Sequence, residues 1–164
     1  MMNNQQNELL EIITKTISEF NSKETYLIKN NLSERCICSK FAQYLNEEIK
    51  SNDNYSGYEV DVEYNRGIHG NEMESKKLFD SNITVDIIIH KRGYNPDFGF
   101  DNLICIEMKK SNDRRGMAGI ERDQKRLEAL TNYEQGFCYK LGIMLLANIK
   151  EQRLEILEPI YKLN

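Results

Sequence analysis

The sequence predicts an α/β protein in which a mixed sheet lies between helices. Three patterns lead to this prediction: helical periodicity near the N-terminus, several separate strand patterns, and a helix pattern between two strongly apolar strands. The chain has 164 residues, of which 40% are hydrophobic, and this is enough for one domain with its own core. We therefore expect residues 1–164 to form a single domain.

Two amphipathic helices are predicted in the first third of the chain. Residues 7–20 carry apolar side chains at helical spacing, and we interpret this helix as an N-terminal extension of a core spanning about 33–147. Residues 33–50 form the second helix, for which Ser33 is a suitable N-cap. A third helix is predicted over residues 113–130, where Met117, Ile120, Leu127 and Leu130 share one side.

Five strands are predicted. Residues 58–64 alternate between apolar and acidic side chains, and the other strands cover residues 83–90, 103–109, 137–147 and 153–160. A polar stretch at 67–80 is predicted to be a mobile loop over a site. From Ser33 the order is α-β-β-β-α-β followed by a further strand, which is an α/β layer architecture with a mixed sheet.

The strands at 83–90 and 103–109 carry the charged residues of greatest interest. Asp86 stands among β-branched residues, and strand alternation puts Glu107 and Lys109 on one face. The short connection predicts an antiparallel hairpin, and a turn centred between Pro96 and Asp97 would put Asp86 opposite Glu107. Two carboxylates and one ammonium would then lie close together.

Neighbouring carboxylates repel unless a positive charge lies between them. Mg²⁺, or Mn²⁺ in its place, meets this need and requires only one or two carboxylate ligands. Asp86 and Glu107 would hold the ion, with the backbone carbonyl of Met108 as an extra ligand. The ion would activate a water for attack on a phosphodiester, and Lys109 would orient that water or offset charge on the phosphate. The alternative is a structural Asp86–Lys109 salt bridge.

The net charge of −4 argues against a general nucleic-acid coat protein, but the charge is unevenly distributed. Seven basic residues and three acidic ones lie between positions 109 and 126, and Lys110 and Arg114 belong to the basic set. This stretch is compatible with a phosphate-bearing substrate and equally with a solvated helix face.

Cellular location and thiol chemistry are predicted from absences in the sequence. There is no secretory signal pattern and no apolar run of about 18 residues, so we expect a cytoplasmic protein without a membrane span. None of the four cysteines forms a CxxC pair, and the chain has two histidines. Reduced, mostly buried thiols are therefore expected, and a structural zinc site is not.

Asp86 followed by Glu107-Met108-Lys109, within an α-β-β-β-α-β order, resembles the PD-(D/E)XK nuclease superfamily. The segments SERCICSKFAQYL, VDVEYNR, VDIIIHKRG and NLICIEMKK look like a bacterial branch with restriction-endonuclease-like domains. One departure is Val85, where proline often precedes the aspartate. The resemblance implies metal-dependent cleavage of nucleic acid, usually DNA, which leaves a 5′-phosphate and a 3′-hydroxyl.

The resemblance also implies supporting residues. An acidic residue of the first core helix often joins the metal site, and here this is Glu34; a favourable interaction with the helix dipole is the alternative. Such proteins also often send a polar residue from the later helix into the site, and Gln124 is in that place; it could equally be a boundary residue. Arg66, near the end of the first strand, could contact the phosphate backbone or pair with Glu63.

Three functions remain open at this point. The first is a nuclease acting in phage defence, restriction or repair, with DNA preferred over RNA. The second is a catalytically inactive module that keeps the fold and binds nucleic acid or a partner protein. The third is a metal-dependent hydrolase of another phosphate ester. A homodimer is also expected, because one small domain grips little duplex.

Overall fold

The structure of the chain is a computed structural model that describes residues 2–69, 72–75, 77–78, 81–93, 101–133 and 137–162. The side chains at 66–69, 72–75, 77, 81 and 159 lie outside this description. The predicted turn around Pro96 and Asp97 also lies outside the described residues.

Four helices are described, and their caps follow from the sequence. They are α1 (Asn4–Lys23), α2 (Thr25–Lys29), α3 (Glu34–Ser51) and α4 (Gly116–Leu130). The predicted N-cap of α3 is confirmed, because the Ser33 hydroxyl accepts a hydrogen bond from the backbone N–H of Cys36 at 3.2 Å. Asn3 caps α1 in a reciprocal arrangement with Gln6, so α1 begins before the predicted residue 7.

The first six strands have at most six residues each, and the last three have eight to ten. They are β1 (Glu59–Tyr64), β2 (Arg66–His69), β3 (Glu72–Ser75), β4 (Lys77–Leu78), β5 (Ser81–Asn82), β6 (Val85–His90), β7 (Asn102–Lys110), β8 (Leu141–Asn148) and β9 (Arg153–Lys162). Strands β2, β3 and β4 fall almost entirely in the segment predicted to be a loop at 67–80, and β5 follows directly after it, so that prediction is wrong for the described residues. β2 pairs with β3 and β4 pairs with β5, which gives these polar residues backbone partners away from the main sheet.

The main sheet has the order β1-β6-β7-β8-β9. β7 and β8 are parallel and are connected through α4, whereas the other neighbouring pairs are antiparallel. The predicted α/β architecture with a mixed sheet flanked by helices is therefore confirmed.

Strand alternation separates the core into two layers. On one face Ile87, Ile106 and Ile143 pack with apolar residues of α1 and α3. On the other face Ile88 and Cys105 pack with Leu127 and Leu130 of α4. The sheet thus has α1 and α3 on one side and α4 on the other.

The β6–β7 hairpin has the register that the sequence predicted. Ile87 pairs with Ile106, and Ile88 pairs with Cys105. The same register, continued by one residue, puts Glu107 across from Asp86. Because Cys105 lies on the α4 side, Glu107 and Lys109 point to that side as well, where they contact Arg126 and Asp123 of α4. Asp86, near the start of β6, lines a cleft beside α3.

All four cysteines are free: Cys38 and Cys105 are buried, whereas Cys36 and Cys138 are partly exposed. Within the described ranges, the structure contains no helix with the length and apolar character needed to cross a membrane.

Gly142 in β8 packs closely against the end of α4 and against β9. A Cβ at this position would lie 3.1 Å from Thr131 Cγ2, 3.2 Å from Tyr161 Cβ and 3.3 Å from Leu127 Cβ. We predict that Gly142→Ala lowers the free energy of unfolding by about 1–3 kcal/mol in urea denaturation, because three neighbouring side chains would have to shift to accommodate the methyl group.

Gly57→Ala is the matched control, because the nearest atom to a Cβ there is Lys91 Cε at 3.9 Å. Its unfolding free energy should change by no more than about 0.5 kcal/mol. Equal stability of the two variants would contradict the close packing at Gly142.

Candidate metal and phosphodiester site

Strands β6 and β7 stop pairing through their backbones at Asp86. The ladder ends with Ile87 and Ile106, and the carboxylate of Asp86 then accepts a hydrogen bond from the backbone N–H of Met108 through Oδ2 at 2.8 Å. The Asp86 side chain thus replaces a strand carbonyl as the acceptor for β7. This contact fixes the carboxylate beside Glu107, and it uses one of its two oxygens.

A cleft opens beside this point, between the start of α3 and the end of β1. It has a volume of about 350 Å³, and Glu34 and Asp86 both line it, together with Cys38 and Val62. Glu34 reaches this cleft because Ser33 caps α3 immediately before it. The acidic residue that the resemblance implied from this helix therefore lies next to Asp86.

Glu107 is almost completely buried, with 1% of its surface exposed. Its Oε1 accepts a hydrogen bond from Arg126 Nη1 at 2.7 Å, and this pair links β7 to α4. Burial raises the pKa of Glu107 well above its ordinary value, and the neighbouring charge of Asp86 raises it further, although Arg126 opposes both. Arg126 therefore does not fully offset the cost of burying a charged carboxylate at Glu107.

The ammonium of Lys109 lies among three oxygen atoms. Its Nζ is 2.7 Å from Asp123 Oδ2, 2.9 Å from the carbonyl oxygen of Met108 and 3.5 Å from Glu34 Oε1. Burial lowers the pKa of Lys109, but the nearby carboxylate of Asp123 outweighs this and raises it overall. These ion pairs differ from the Asp86–Lys109 salt bridge that was the sequence-based alternative.

Burial also raises the pKa of Glu34, and the charge of Asp86 adds to this while Lys109 opposes it. The pKa of Asp123 moves the other way. Burial raises it, but Lys109 and Arg122 together lower it below the ordinary value. The surrounding cations thus outweigh the effect of burial at Asp123, whereas at Glu34 and Glu107 they offset it only in part.

The other predicted substrate-binding residues are more dispersed. Lys110 donates to the carbonyl oxygens of Asn31 and Leu32, at 3.3 Å and 3.0 Å, so its ammonium anchors the turn before α3. Arg114 is exposed and Gln124 is half-buried on α4. The Arg66 side chain lies outside the described part.

Neither Asp123 nor Arg126 had a predicted role, although both belong to the charged stretch at 109–126. They lie three residues apart on α4 and face the sheet, where they meet Lys109 and Glu107. Their spacing could have indicated a role, because Asp123 precedes Leu127 and Arg126 precedes Leu130 by four residues. This helical spacing places two charged side chains on the apolar face of α4.

The donors at this site suit a hard divalent cation. Among the described residues there is no group of three or more His, Cys, Asp or Glu side chains arranged to hold a metal ion. Mg²⁺ does not require such a group, because it is commonly held by one or two carboxylates, with waters and substrate phosphate completing its shell. Asp86 and Glu107 would supply the carboxylates, and a cation beside Glu107 would favour its charged form, which burial disfavours.

The raised pKa of Glu107 leads to a prediction about stability. A raised folded-state pKa means that the contribution of Glu107 is favourable below its ordinary value of 4.5 and is lost as the pH rises through the folded-state value. We predict that Glu107→Gln is more stable than the wild type at pH 7, by about 1 kcal/mol or more. The difference should shrink toward pH 4 in thermal denaturation.

Glu121→Gln, an exposed substitution on α4, should show no such pH-dependent difference. A Glu107→Gln variant less stable than the wild type at pH 7 would mean that the ion pair with Arg126 outweighs the burial of the charge.

Comparison with known proteins gives little further information. No family model matches the chain, and no curated protein matches it. Among solved structures, the chain is similar to a crystal structure of SSO0001, with 17% sequence identity and a TM-score of 0.34. The similarity covers 92% of this chain and 65% of that one, so this chain spans less than two thirds of the length of SSO0001. A TM-score this low carries no argument about fold or function.

Proposed function

We propose that the chain is a Mg²⁺-dependent nuclease with a restriction-endonuclease-like core of the PD-(D/E)XK superfamily. It would hydrolyse phosphodiester bonds of nucleic acid, with DNA as the expected substrate. The observation that carries the proposal is the register that brings Asp86 and Glu107 side by side on adjacent strands, with Lys109 two residues further along β7.

The charge distribution supports this reading over a purely structural cluster. Glu34, Asp86, Glu107 and Asp123 interact electrostatically, with Lys109 buried among them and the half-buried Arg126 beside them. A salt-bridge network that served stability alone would balance its charges, because an uncompensated buried carboxylate is costly. Here the pKa is raised both for Glu34, which lines the cleft, and for Glu107, which is buried. Perturbed carboxylates of this kind are typical of functional sites.

The residues of the chain have distinct parts in the proposed reaction. Asp86 and Glu107 would hold Mg²⁺, with Glu34 and the Met108 carbonyl as further oxygen donors. When bound, Mg²⁺ would polarise the phosphodiester and lower the pKa of a water bound to it. Lys109 would donate hydrogen bonds to the attacking water or to a phosphate oxygen and would offset the negative charge that develops there.

Exposed cations provide the surface for a polyanionic substrate. Arg114, Arg115, Arg122 and Lys125 lie on α4 or immediately before it and are exposed. Contacts between such side chains and phosphates depend little on sequence. We therefore expect binding with weak sequence preference and a strong dependence on salt concentration.

Cleavage tests the proposal directly. Supercoiled plasmid, single-stranded DNA and RNA should be compared with Mg²⁺ and with a chelator. We expect Mg²⁺-dependent cleavage, and Lys109→Ala should lower the rate by about 100-fold or more, because it removes the charge next to the reacting phosphate. Lys15→Ala removes an exposed lysine of α1 and should keep the wild-type rate.

Equal cleavage by Lys109→Ala and the wild type would mean that a contaminating nuclease causes it. Binding of nucleic acid without cleavage by a folded wild type would favour the inactive-module alternative instead.

Metal binding is predicted to depend on Asp86. In calorimetric titration, Asp86→Asn should weaken Mg²⁺ binding by about 10-fold or more, because it removes a charged oxygen donor. The control is Asp53→Asn in the exposed turn after α3. If both variants bind Mg²⁺ as the wild type does, Asp86 is not a ligand.

A further inference from the structure

Lys109 and the proposed metal site share two groups of oxygen atoms. The ammonium lies 2.9 Å from the Met108 carbonyl oxygen and 3.5 Å from Glu34 Oε1, and both are donors that the proposed Mg²⁺ site would use. A cation coordinated by these atoms would compete with the ammonium for them. Lys109 would then lose two of its three oxygen partners when the metal binds.

Asp123 is the partner that this competition leaves untouched. It lies on α4 rather than on the strands that carry Asp86 and Glu107, and its Oδ2 is 2.7 Å from Lys109 Nζ. No described residue donates a well-directed hydrogen bond to this buried oxygen, so the ammonium meets it as a close ion pair. Among the described residues, no other donor competes with Lys109 for Oδ2.

The Asp123 carboxylate is itself held firmly. It is 1% exposed, and its Oδ1 accepts a hydrogen bond from Arg122 at 2.9 Å, with Arg126 Nη1 at 3.9 Å. The same helix supplies Arg126, which binds Glu107. α4 thus places the anion of Asp123 next to Lys109 and the cation of Arg126 next to Glu107.

We propose that Asp123 is a positioning residue that keeps the Lys109 ammonium in the site when a divalent cation takes the Met108 carbonyl and Glu34. This inference rests on the proposed metal-dependent function. Without Asp123, the metal and the ammonium would compete for the same oxygens, and Lys109 would turn away once the metal binds. The reaction would lose its charge-stabilising group although the metal stays bound.

The test follows the Lys109 ammonium itself by ¹⁵N–¹H NMR, using its absence in Lys109→Arg to assign the signal. In the wild type the signal should be present without metal and should persist at saturating Mg²⁺. In Asp123→Asn it should be present without metal and disappear on Mg²⁺ addition. Glu121→Gln, an exposed carboxylate on the same helix, should behave as the wild type does.

Kinetics and metal binding separate positioning from a structural role. Asp123→Asn should lower kcat by about 100-fold, as expected for a misplaced reacting group, while KM for nucleic acid and Kd for Mg²⁺ stay within threefold of the wild type. A signal that survives Mg²⁺ in Asp123→Asn, or an unchanged kcat, overturns the inference and leaves the nuclease function standing.

Two further outcomes have clear meanings. If Asp123→Asn does not fold, the wild-type titration decides, because loss of the Lys109 signal on Mg²⁺ addition overturns the inference. If the wild type binds Mg²⁺ and keeps the signal without cleaving nucleic acid, the positioning role is supported and the nuclease function fails. A wild type that binds no Mg²⁺ overturns both.

Discussion

The hydrogen bond from the Met108 N–H to the Asp86 carboxylate determines how the centre of this protein is arranged. It ends the β6–β7 ladder, because a side chain takes the position of a strand carbonyl. A charged acceptor is thereby held within the sheet, beside the buried Glu107. An apolar residue at position 86 would leave the Met108 N–H without this partner and would remove the charge that crowds Glu107.

Two features follow from that crowding. α4 brings Arg126 and Asp123 to the sheet, and these pair with Glu107 and Lys109. Arg126 does not fully compensate Glu107, since burial and Asp86 still raise the pKa of this carboxyl group. In our proposal a divalent cation bound beside Glu107 supplies the further positive charge. The proposed catalytic residues would then lower the free energy of unfolding of the protein, as is common for active-site residues.

Much of the fold could be predicted from local patterns, because apolar periodicity and turn residues act over short distances. The hairpin register around Asp86 was predictable since a slip by one residue would turn the charged set to the other face. Local patterns failed to predict burial where it depends on neighbours that are distant in sequence. Val62 on edge strand β1 and Met117 on α4 belong to apolar patterns, yet they are 41% and 67% exposed. The paired strands β2–β3 and β4–β5 were not predicted, because their sequence is mostly polar and they are held by backbone pairing rather than by an apolar face.

The central claim is that Asp86 and Glu107 hold a divalent cation between adjacent strands. Anomalous diffraction from crystals soaked in Mn²⁺ would locate such an ion without reference to any substrate. We predict a peak at coordination distance from both carboxylates, with the Met108 carbonyl in reach. Absence of a peak near Asp86 and Glu107, at a Mn²⁺ concentration that saturates the protein in solution, would contradict this claim. So would a Mn²⁺ ion that binds only elsewhere in the protein.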